Sequence, residues 1–487
     1  MIQIQLSEDE FRYDVYTLTK AFFTKEDVRV QIGIDGKQQE EKVLIIVKYE
    51  KTQVILTIKE KETIVAEGSA EFANIERKEK KNRLKRLLYT KLAEYTGKEL
   101  PWGNLTGIRP VKIVMSMLEK GNGREETIED LKKIYCISQE KAELSVEIAH
   151  RELSVLNTFD YKSGYSLYIG IPFCPTTCLY CSFTSYPITL WQKRTREYLE
   201  ALYKELTYIS QAMGHKRLDS IYIGGGTPTT LSHEELRSLI LFIREKFDCS
   251  AVKEFCVEAG RPDSITGEKL KALKECGIER ISINPQTMNE ETLKVIGRQH
   301  SVKDIIQAYD LAKEAGFKTI NMDIILGLPG ENMTHLEHTM EEIQKLNPEN
   351  LTVHSLALKR AARLNIQKQS YIEDINTAPE DMMKRTAEYA KRMGLEPYYL
   401  YRQKNMGGNL ENVGYAKPGH IGLYNILIME EKQTIIAAGA GAISKYVFPD
   451  ESITRVENVK DVTNYMKRIE EMIARKEEVR SSYESEV

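Results

Sequence analysis

From about residue 165 onwards, short apolar strands alternate with longer amphipathic segments, and this repeat constrains the fold more than any other feature of the sequence. The pattern is typical of parallel strands joined by crossover helices. A complete barrel needs eight such units. Since this chain has six, we expect an α/β fold with an open, partial (β/α)6 barrel and its chemistry at the carboxyl ends of the strands. The six predicted strands are 165–171, 219–224, 254–259, 280–285, 319–327 and 351–358.

The rest of the chain is expected to form three further parts, since 487 residues exceed what one hydrophobic core usually holds. In residues 1–100 an alternation of apolar and polar side chains precedes a basic helix, which predicts a small α+β, sheet-rich domain. Residues 101–160 are predicted to be a helical connector, and the barrel to occupy 161–375. We expect 376–487 to be a mostly α extension that covers the substrate and ends in a charged helical tail.

The charge balance gives no sign of a nucleic acid or membrane partner. The chain has 69 Lys and Arg against 72 Asp and Glu, so any such partner must be recognised locally. The basic helix over 76–98 is interpreted as a solvated face, with a phosphate-binding surface as the alternative. No run of about 18 apolar residues and no secretory leader is visible, so we expect a cytoplasmic protein without a membrane span.

Three cysteines, Cys174, Cys178 and Cys181, follow the first predicted barrel strand with the spacing C-x-x-x-C-x-x-C. One short loop with this spacing can direct three thiolates at three irons of a [4Fe-4S] cluster and leave the fourth iron open. Zinc is the alternative, but it needs a fourth ligand, and Cys249 and His233 lack metal-site spacing. An open iron that binds an amino acid's amine and carboxylate is the arrangement of a radical S-adenosylmethionine (SAM) site. The remaining cysteines are interpreted as small buried hydrophobes: Cys136, Cys249, Cys256 and Cys276.

Six motifs in series extend this interpretation to a family. They are YIGIPFC with its two further cysteines, IGGGTPT, VEAGRP, ISINPQTMNEETLKVIGRQH, NMDIILGLPGE and AAGAGAIS. Together they resemble the oxygen-independent coproporphyrinogen III oxidase group of radical SAM enzymes, over about 290 residues from Tyr168 onwards. The segments PWGNLTGIRP and YYLYRQKNMGGNLENVGYAKPG resemble the longer HemZ-type branch of that group.

The glycine-rich turn and the third strand have both a physical and a family interpretation. Gly225, Gly226 and Thr227 are expected to contact the methionine part of SAM, because glycine lets main-chain groups approach a ligand closely. The alternative is a tight turn with Thr229 or Thr230 capping the next helix. Glu258 ends an apolar strand, where an unpaired carboxylate is costly, so a ribose hydroxyl is its expected partner and a core salt bridge the alternative.

The resemblance implies the other SAM contacts. Tyr168 and Tyr180 would form an aromatic edge for the cofactor, although a core tyrosine is the alternative for Tyr168. The implied polar contacts to one or two SAM molecules are Gln286, Arg298 and Asp323. The implied apolar contacts to adenosine are Ala357 and Ile443.

Four residues are candidates for the substrate. His354 ends the sixth strand and is a candidate proton donor, with a satisfied core histidine as the alternative. Arg402, Lys404 and Lys417 lie in a segment rich in Gly, Asn and Tyr, where cations would receive the propionate carboxylates of a tetrapyrrole. The pair His335 and His338 is interpreted as a solvated helix face rather than a metal site.

Two departures from the oxidases lie beside the predicted chemistry. Phe183 stands where the oxidases have a fourth cysteine, and Gly170 stands where they have a histidine. Phe183 resembles relatives that act as haem-binding chaperones. The sequence therefore supports the cofactors better than the substrate.

The resemblance implies a mechanism: a reduced cluster cleaves SAM, and the 5'-deoxyadenosyl radical takes a hydrogen from a propionate of coproporphyrinogen III. Carbon dioxide then leaves and an electron passes to an unidentified acceptor, which gives a vinyl group, and two rounds give protoporphyrinogen IX. The implied partners are a tetrapyrrole and an electron donor such as a flavodoxin or ferredoxin. The alternatives are a haem-binding chaperone, an enzyme that opens or alkylates haem, and an RNA-modifying enzyme that uses Arg83 and Arg86 of the basic helix.

Overall fold

The structure is a computed structural model, and it describes residues 1–34, 42–183, 185–356, 379–403 and 410–486. The chain divides into two compact units, Met1–Ala149 and His150–Val487. The predicted division into four parts is finer than this and stays a prediction. Within the described ranges, no helix has the length and apolar character that crossing a membrane requires.

The first unit contains a five-stranded sheet in the order β2-β1-β3-β4-β5. The β1 strand is parallel to both neighbours, and the last three strands are antiparallel. The predicted alternation in β4 is present, with three apolar side chains in the core and the residues between them partly exposed. The strands are β1 (Ile2–Leu6), β2 (Val28–Ile32), β3 (Val43–Tyr49), β4 (Gln53–Glu60) and β5 (Thr63–Glu71).

The basic helix α2 (Arg77–Thr96) packs an apolar stripe into the core of the first unit. Leu84, Leu88 and Leu92 are fully buried. On the other face, Arg83 donates to Glu79 at 2.9 Å, so part of the positive charge is neutralised within the helix. The other helices that begin in this unit are α1 (Arg12–Phe22), α3 (Pro110–Glu119), α4 (Arg124–Tyr135) and α5 (Gln139–Leu156), which crosses the unit boundary.

The second unit contains the predicted six parallel strands, and they are neighbours in chain order. The partial barrel is therefore confirmed. Its strands are β6 (Gly164–Ile171), β9 (Arg217–Gly225), β10 (Glu254–Glu258), β11 (Arg280–Ser282), β12 (Thr319–Leu326) and β13 (Asn350–Ser355). The segments between them contain β7 (Phe173–Cys174), β8 (Tyr186–Pro187), α6 (Ile188–Trp191), α7 (Thr195–Ala212), α8 (His233–Lys246), α9 (Gly267–Glu275), α10 (Glu290–Val295), α11 (Val302–Glu314) and α12 (Met333–Leu346).

The C-terminal part contains more helix than strand, but its strands extend the barrel sheet at both edges, which the sequence did not predict. At one edge β16 pairs in parallel with β6, and β17 and β18 follow it. At the other edge β15 is antiparallel to β13, and β14 follows. These elements are α13 (Pro379–Arg392), β14 (Glu396–Tyr401), β15 (Asn412–Ala416), α14 (Leu423–Glu430), β16 (Thr434–Ala438), β17 (Ile443–Val447), β18 (Ile453–Glu457), α15 (Val462–Lys467) and α16 (Ile469–Glu486).

A buried ion pair closes the amino end of the barrel strands. Glu254 and Arg280 begin β10 and β11, and their charged groups are 3.0 Å apart. The Glu254 carboxylate also accepts from the backbone N–H groups of Leu423 and Tyr424, where it satisfies free donors at the N-terminus of α14. Arg280 donates in addition to the His420 carbonyl. Because this end is filled by protein, a ligand site is expected at the opposite, carboxyl end.

Candidate functional site

The cysteine loop lies at the carboxyl end of β6, as predicted. Cys174 ends β7 and is half-buried, Cys178 is buried, and Cys181 is half-buried. The backbone N–H of Cys181 donates to the carbonyl of Cys178 at 3.3 Å, so the last two cysteines share one tight turn. The loop therefore presents three thiols from a short stretch of ordered chain.

A second turn, after α10, holds this loop in place. The backbone N–H of Leu179 donates to the Ile296 carbonyl at 3.0 Å, and the Thr176 hydroxyl donates to the Gly297 carbonyl at 3.0 Å. Arg298 donates through Nη2 to the Tyr180 hydroxyl at 3.1 Å. These contacts bring together Tyr180 and Arg298, which the sequence placed in one site.

Two of the sulfurs accept hydrogen bonds from other loops. The Thr227 hydroxyl lies 3.5 Å from Cys174 Sγ, and Arg261 Nη1 lies 3.3 Å from Cys178 Sγ. Burial raises the pKa of the Cys174 thiol to about 11, against the hydrogen bond from Thr227. Iron takes the thiolate, so binding it here would release a proton.

The thiols are not arranged around a single ion. In the part of the chain that the structure describes, no group of three or more His, Cys, Asp or Glu side chains could hold one metal ion. One zinc ion would need its sulfur ligands about 2.3 Å away. In an iron–sulfur cluster each thiolate binds a different iron, and this requires wider spacing. Three thiols on one short loop are the kind of donor set that such a cluster takes.

The glycine-rich turn packs against the cysteine loop. Gly226 donates its N–H to the Ile171 carbonyl at 2.7 Å, and Thr227 donates its N–H to the Phe173 carbonyl at 2.7 Å. A Cβ at position 226 would lie 2.6 Å from the Phe173 oxygen, so a side chain would separate the two loops. Gly225 has φ +105°, a conformation that favours glycine.

The alternative role of this turn, as a cap, is wrong. Helix α8 is capped by Ser232, whose hydroxyl accepts from the Glu235 N–H, rather than by Thr229 or Thr230. The two threonines belong to a short 3-10 turn before the cap.

Glu258 ends β10 beside an aromatic partner. Among the residues that the structure describes, no cation forms a salt bridge with it. It accepts a hydrogen bond from the Tyr222 hydroxyl. Burial raises the pKa of Glu258 to about 7; the Tyr222 hydrogen bond opposes this shift, and the charge of Asp323 adds to it. The carboxyl group therefore changes charge near neutral pH.

A row of buried polar atoms without hydrogen-bond partners follows the fourth strand. Ser282, Asn284 and Gln286 alternate along the chain, and each has an unsatisfied side-chain oxygen, while Arg298 has an unsatisfied Nε. Buried polar atoms normally have a hydrogen-bond partner, which makes these side chains candidates for contact with a ligand. Gln286 also has φ +69°, which is uncommon for a residue other than glycine.

Tyr168 lies in a stack of aromatic rings. Its ring centroid is 6.2 Å from that of Tyr222 and 6.3 Å from that of Tyr424, with planes within about 20° of parallel. Tyr168 is nevertheless the one residue of β6 that is not fully buried, so both the core and the cofactor interpretation of this ring stay open. Ile443 begins β17 and is 40% exposed. Ala357 and Lys404 lie outside the described residues.

Asp323, His354 and Tyr401 form a polar group on three strands of the same sheet, β12, β13 and β14. His354 Nε2 lies 3.6 Å from Asp323 Oδ2, and His354 Nδ1 lies 3.3 Å from the Tyr401 hydroxyl. Contacts on both ring nitrogens fix the orientation of the imidazole, whose tautomer is set by these partners.

The two described cations predicted for the substrate lie in different places. Arg402 follows β14 and is 4% exposed; burial lowers its pKa to about 10, and the charge of buried Glu411 opposes this. Lys417 donates to the Asn347 carbonyl at 2.9 Å, and its own N–H donates to the Glu349 carbonyl, just before β13 begins. The structure therefore places Lys417 at the amino end of the barrel strands, away from the cysteines.

Comparisons with known proteins agree with this geometry. Residues 168–343 match the Radical SAM superfamily. The chain is 44% identical over 398 residues to the oxygen-independent coproporphyrinogen-III oxidase-like protein HemZ of Bacillus subtilis. The aligned region covers 81% of this chain and 79% of that protein. The chain belongs to the HemZ family. Its cofactors are accordingly a [4Fe-4S] cluster and SAM, as predicted.

Two further similarities widen the family. The heme chaperone HemW of Bacillus subtilis is 42% identical over 195 residues, which is 40% of this chain and 51% of that protein. The crystal structure of coproporphyrinogen III oxidase (HemN) from Escherichia coli superposes with a TM-score of 0.53 at 22% identity, over 66% of this chain and 73% of that one. At this identity the second similarity supports the fold alone.

Both departures from the oxidases lie near the cysteine loop of this HemZ-family chain. Phe183 is 70% exposed, two residues after the last cysteine of the loop. At Gly170 a Cβ would lie 3.5 Å from the Tyr168 ring and from the Ala438 carbonyl, so the backbone tolerates a small side chain there.

Sequence reasoning missed three residues that the structure brings to the site. Ser282 and Asn284 carry unsatisfied oxygens, and the period-two pattern S-x-N-x-Q in ISINPQ was the signal available for them. Arg261, the arginine of VEAGRP, contacts Cys178 across a long stretch of sequence. No local pattern predicts such a contact.

The predictions for the other cysteines were partly wrong. Cys256 and Cys276 are buried, as expected, but Cys136 and Cys249 are only half-buried. Cys136 ends helix α4 in the left-handed conformation and packs, partly buried, against the core of the first unit.

Proposed function

We propose that this chain is a radical SAM enzyme that converts propionate side chains of coproporphyrinogen III to vinyl groups by oxidative decarboxylation. The observation that carries the proposal is the cysteine loop beside a row of buried polar atoms that lack partners, both at the carboxyl end of a partial barrel. Similarity to the coproporphyrinogen-III oxidase-like protein HemZ supports the choice of substrate.

Cys174, Cys178 and Cys181 would hold the cluster in this proposal. When bound, the cluster and SAM supply a 5'-deoxyadenosyl radical by reductive cleavage of the sulfonium, for which a flavodoxin or ferredoxin would provide the electron. The loop's hydrogen bonds to the turn after α10 keep the three sulfurs in register. Thr227 and Arg261 donate to two of these sulfurs and fix their directions.

The unsatisfied polar atoms are the proposed SAM contacts. Ser282, Asn284 and Gln286 offer one hydroxyl and two amide oxygens within one short segment, and Arg298 offers a guanidinium N–H from the turn after α10. Glu258, with its pKa near neutrality, would provide negative charge for a cofactor that carries a net positive charge. One or two SAM molecules are compatible with this set.

His354 is the proposed proton-handling residue at the substrate. Asp323 and Tyr401 hold its ring from both sides, so it can keep a proton at a fixed position near the end of β13. Arg402 lies at the same end of the sheet, after β14, and is the proposed carboxylate partner. Lys417 is not part of this arrangement.

An anaerobic assay with coproporphyrinogen III tests the proposal. Wild-type protein with dithionite and SAM should yield 5'-deoxyadenosine together with tetrapyrrole products lighter by one and two units of formic acid, as read by mass spectrometry. Cys181→Ala should abolish both products, and Cys249→Ala, which alters a half-buried single cysteine, should leave them unchanged. Formation of 5'-deoxyadenosine without any change in the tetrapyrrole would contradict the proposed substrate.

A haem-binding chaperone is the second candidate. Phe183, exposed in place of the oxidases' fourth cysteine, and the 42% identity to the heme chaperone HemW favour it. Stoichiometric retention of haem, without release of carbon dioxide from coproporphyrinogen III, would identify this function.

A further inference from the structure

Arg261 is a buried cation that reaches the cysteine loop from the end of the third barrel strand. Arg261 is only 3% exposed. Nη1 lies 3.3 Å from Cys178 Sγ, and it also donates to the Thr176 hydroxyl at 3.0 Å and to the Thr176 carbonyl at 3.3 Å. One nitrogen thus contacts both the loop backbone and a thiol.

A second charged group fixes this guanidinium. Asp263 accepts from Arg261 Nε at 2.9 Å and from Nη2 at 2.5 Å, in a bidentate pair. Burial alone would raise the pKa of Asp263, but His300, whose Nδ1 lies 3.6 Å away, and the hydrogen bonds from Arg261 hold it well below its usual range. The carboxylate therefore stays ionised and occupies the Nε–Nη2 edge of the guanidinium, which leaves Nη1 directed at the loop.

The other arginine at this loop has a different task. Arg298 uses Nη1 for the Asn284 carbonyl and Nη2 for the Tyr180 hydroxyl. The two hydrogen bonds to sulfur differ in charge. Thr227 donates to Cys174 from a neutral hydroxyl, whereas Arg261 donates to Cys178 from a charged guanidinium. The two sulfurs are therefore in electrically different surroundings.

A donor on a cluster sulfur has a known electronic consequence. Hydrogen bonds and positive charge near a ligating sulfur stabilise the reduced, more negative form of an iron–sulfur cluster and raise its reduction potential. A guanidinium remains charged at all accessible pH values, so its effect is constant.

We propose that Arg261 is a positioning residue that orients the Cys178 sulfur and raises the reduction potential of the cluster. This rests on the proposed function, in which Cys178 is a cluster ligand. Arg261 brings the cluster within reach of a cellular electron donor, and Asp263 and His300 keep its guanidinium in place.

A redox titration followed by electron paramagnetic resonance tests this on the reconstituted full chain. Arg261→Gln removes the charge, Arg261→Lys keeps it but cannot pair in bidentate fashion with Asp263, and Arg196→Gln alters an exposed arginine as the control. Iron and sulfide are counted in each variant before the titration, so loss of the cluster is separated from a change in potential.

The expected result is a midpoint potential that is more negative in Arg261→Gln than in wild type, with a smaller shift in Arg261→Lys and none in Arg196→Gln. Equal potentials at equal cluster content would overturn the proposal. If Arg261→Gln fails to hold a cluster, the lysine variant decides: a negative shift supports the proposal, and a wild-type potential overturns it. A wild-type chain without any cluster would instead overturn the assignment of the three cysteines, and this proposal with it.

Discussion

Tyr222 donates a hydrogen bond through its hydroxyl to the carboxyl group of Glu258, in a part of the barrel where Asp323 adds a second negative charge. The balance of burial, hydrogen bond and charge leaves the pKa of Glu258 at about 7. This group can therefore report on cofactor binding in the accessible pH range.

The first prediction concerns the pH dependence of SAM binding. SAM carries a net positive charge and should bind the ionised form of Glu258, so binding should tighten as pH rises through the pKa of the free carboxyl group. A pKa of about 7 predicts a dissociation constant about tenfold lower at pH 8 than at pH 6. Calorimetry on the anaerobic, reconstituted protein measures it. In Glu258→Gln this dependence should vanish, and an equally steep dependence in that variant would exclude Glu258 as its source.

The second prediction concerns Tyr222. Its hydrogen bond lowers the pKa of Glu258, so Tyr222→Phe should raise that pKa and move the pH midpoint of SAM binding upward. Tyr208→Phe is the matched control, because it removes a tyrosine–glutamate hydrogen bond of 2.7 Å to Glu477, outside the proposed site. A midpoint that does not move, or that moves equally in both variants, would contradict the role of Tyr222.

The third prediction concerns the contact between the glycine-rich turn and the cysteine loop. Gly226→Ala places a Cβ 2.6 Å from the Phe173 carbonyl oxygen, so the two loops must separate, at a cost of about 1–3 kcal/mol. We expect less iron and sulfide per chain after reconstitution, with more rapid loss in air. Gly267→Ala, where a Cβ meets no atom within 4 Å, should retain the wild-type content. Normal cluster content in Gly226→Ala would show that the close approach is not needed.

The fourth prediction separates the two cations. If Arg402 binds a propionate, Arg402→Gln should weaken binding of coproporphyrinogen III about tenfold, as loss of a charge-assisted hydrogen bond predicts. Lys417→Ala should leave that affinity unchanged, because Lys417 bonds to Asn347 before β13 begins. Binding is measured by fluorescence under anaerobic conditions at equal cluster content. The assignment of Arg402 fails if its variant binds as tightly as the lysine variant.

The barrel was predictable because its information is local. Each apolar strand and each amphipathic helix is visible in a short window, and three cysteines within eight residues define their own loop. The C-terminal strands were missed because β16 and β15 pair with strands far away in the chain, which a local pattern does not encode. For the same reason the close approach of Gly226 to the backbone atoms of Phe173 and Ile171 was not predicted.

The measurement that tests the central assignment most directly is spectroscopy of the anaerobically reconstituted chain, before and after addition of SAM. With Cys174, Cys178 and Cys181 intact, we predict four irons and four sulfides per chain, the signal of a reduced cubane that changes when SAM binds, and reductive formation of 5'-deoxyadenosine. Substitution of any one of the three cysteines should remove all of these. A wild-type chain with no cubane signal, or one whose cluster persists unchanged without these cysteines, would contradict the account.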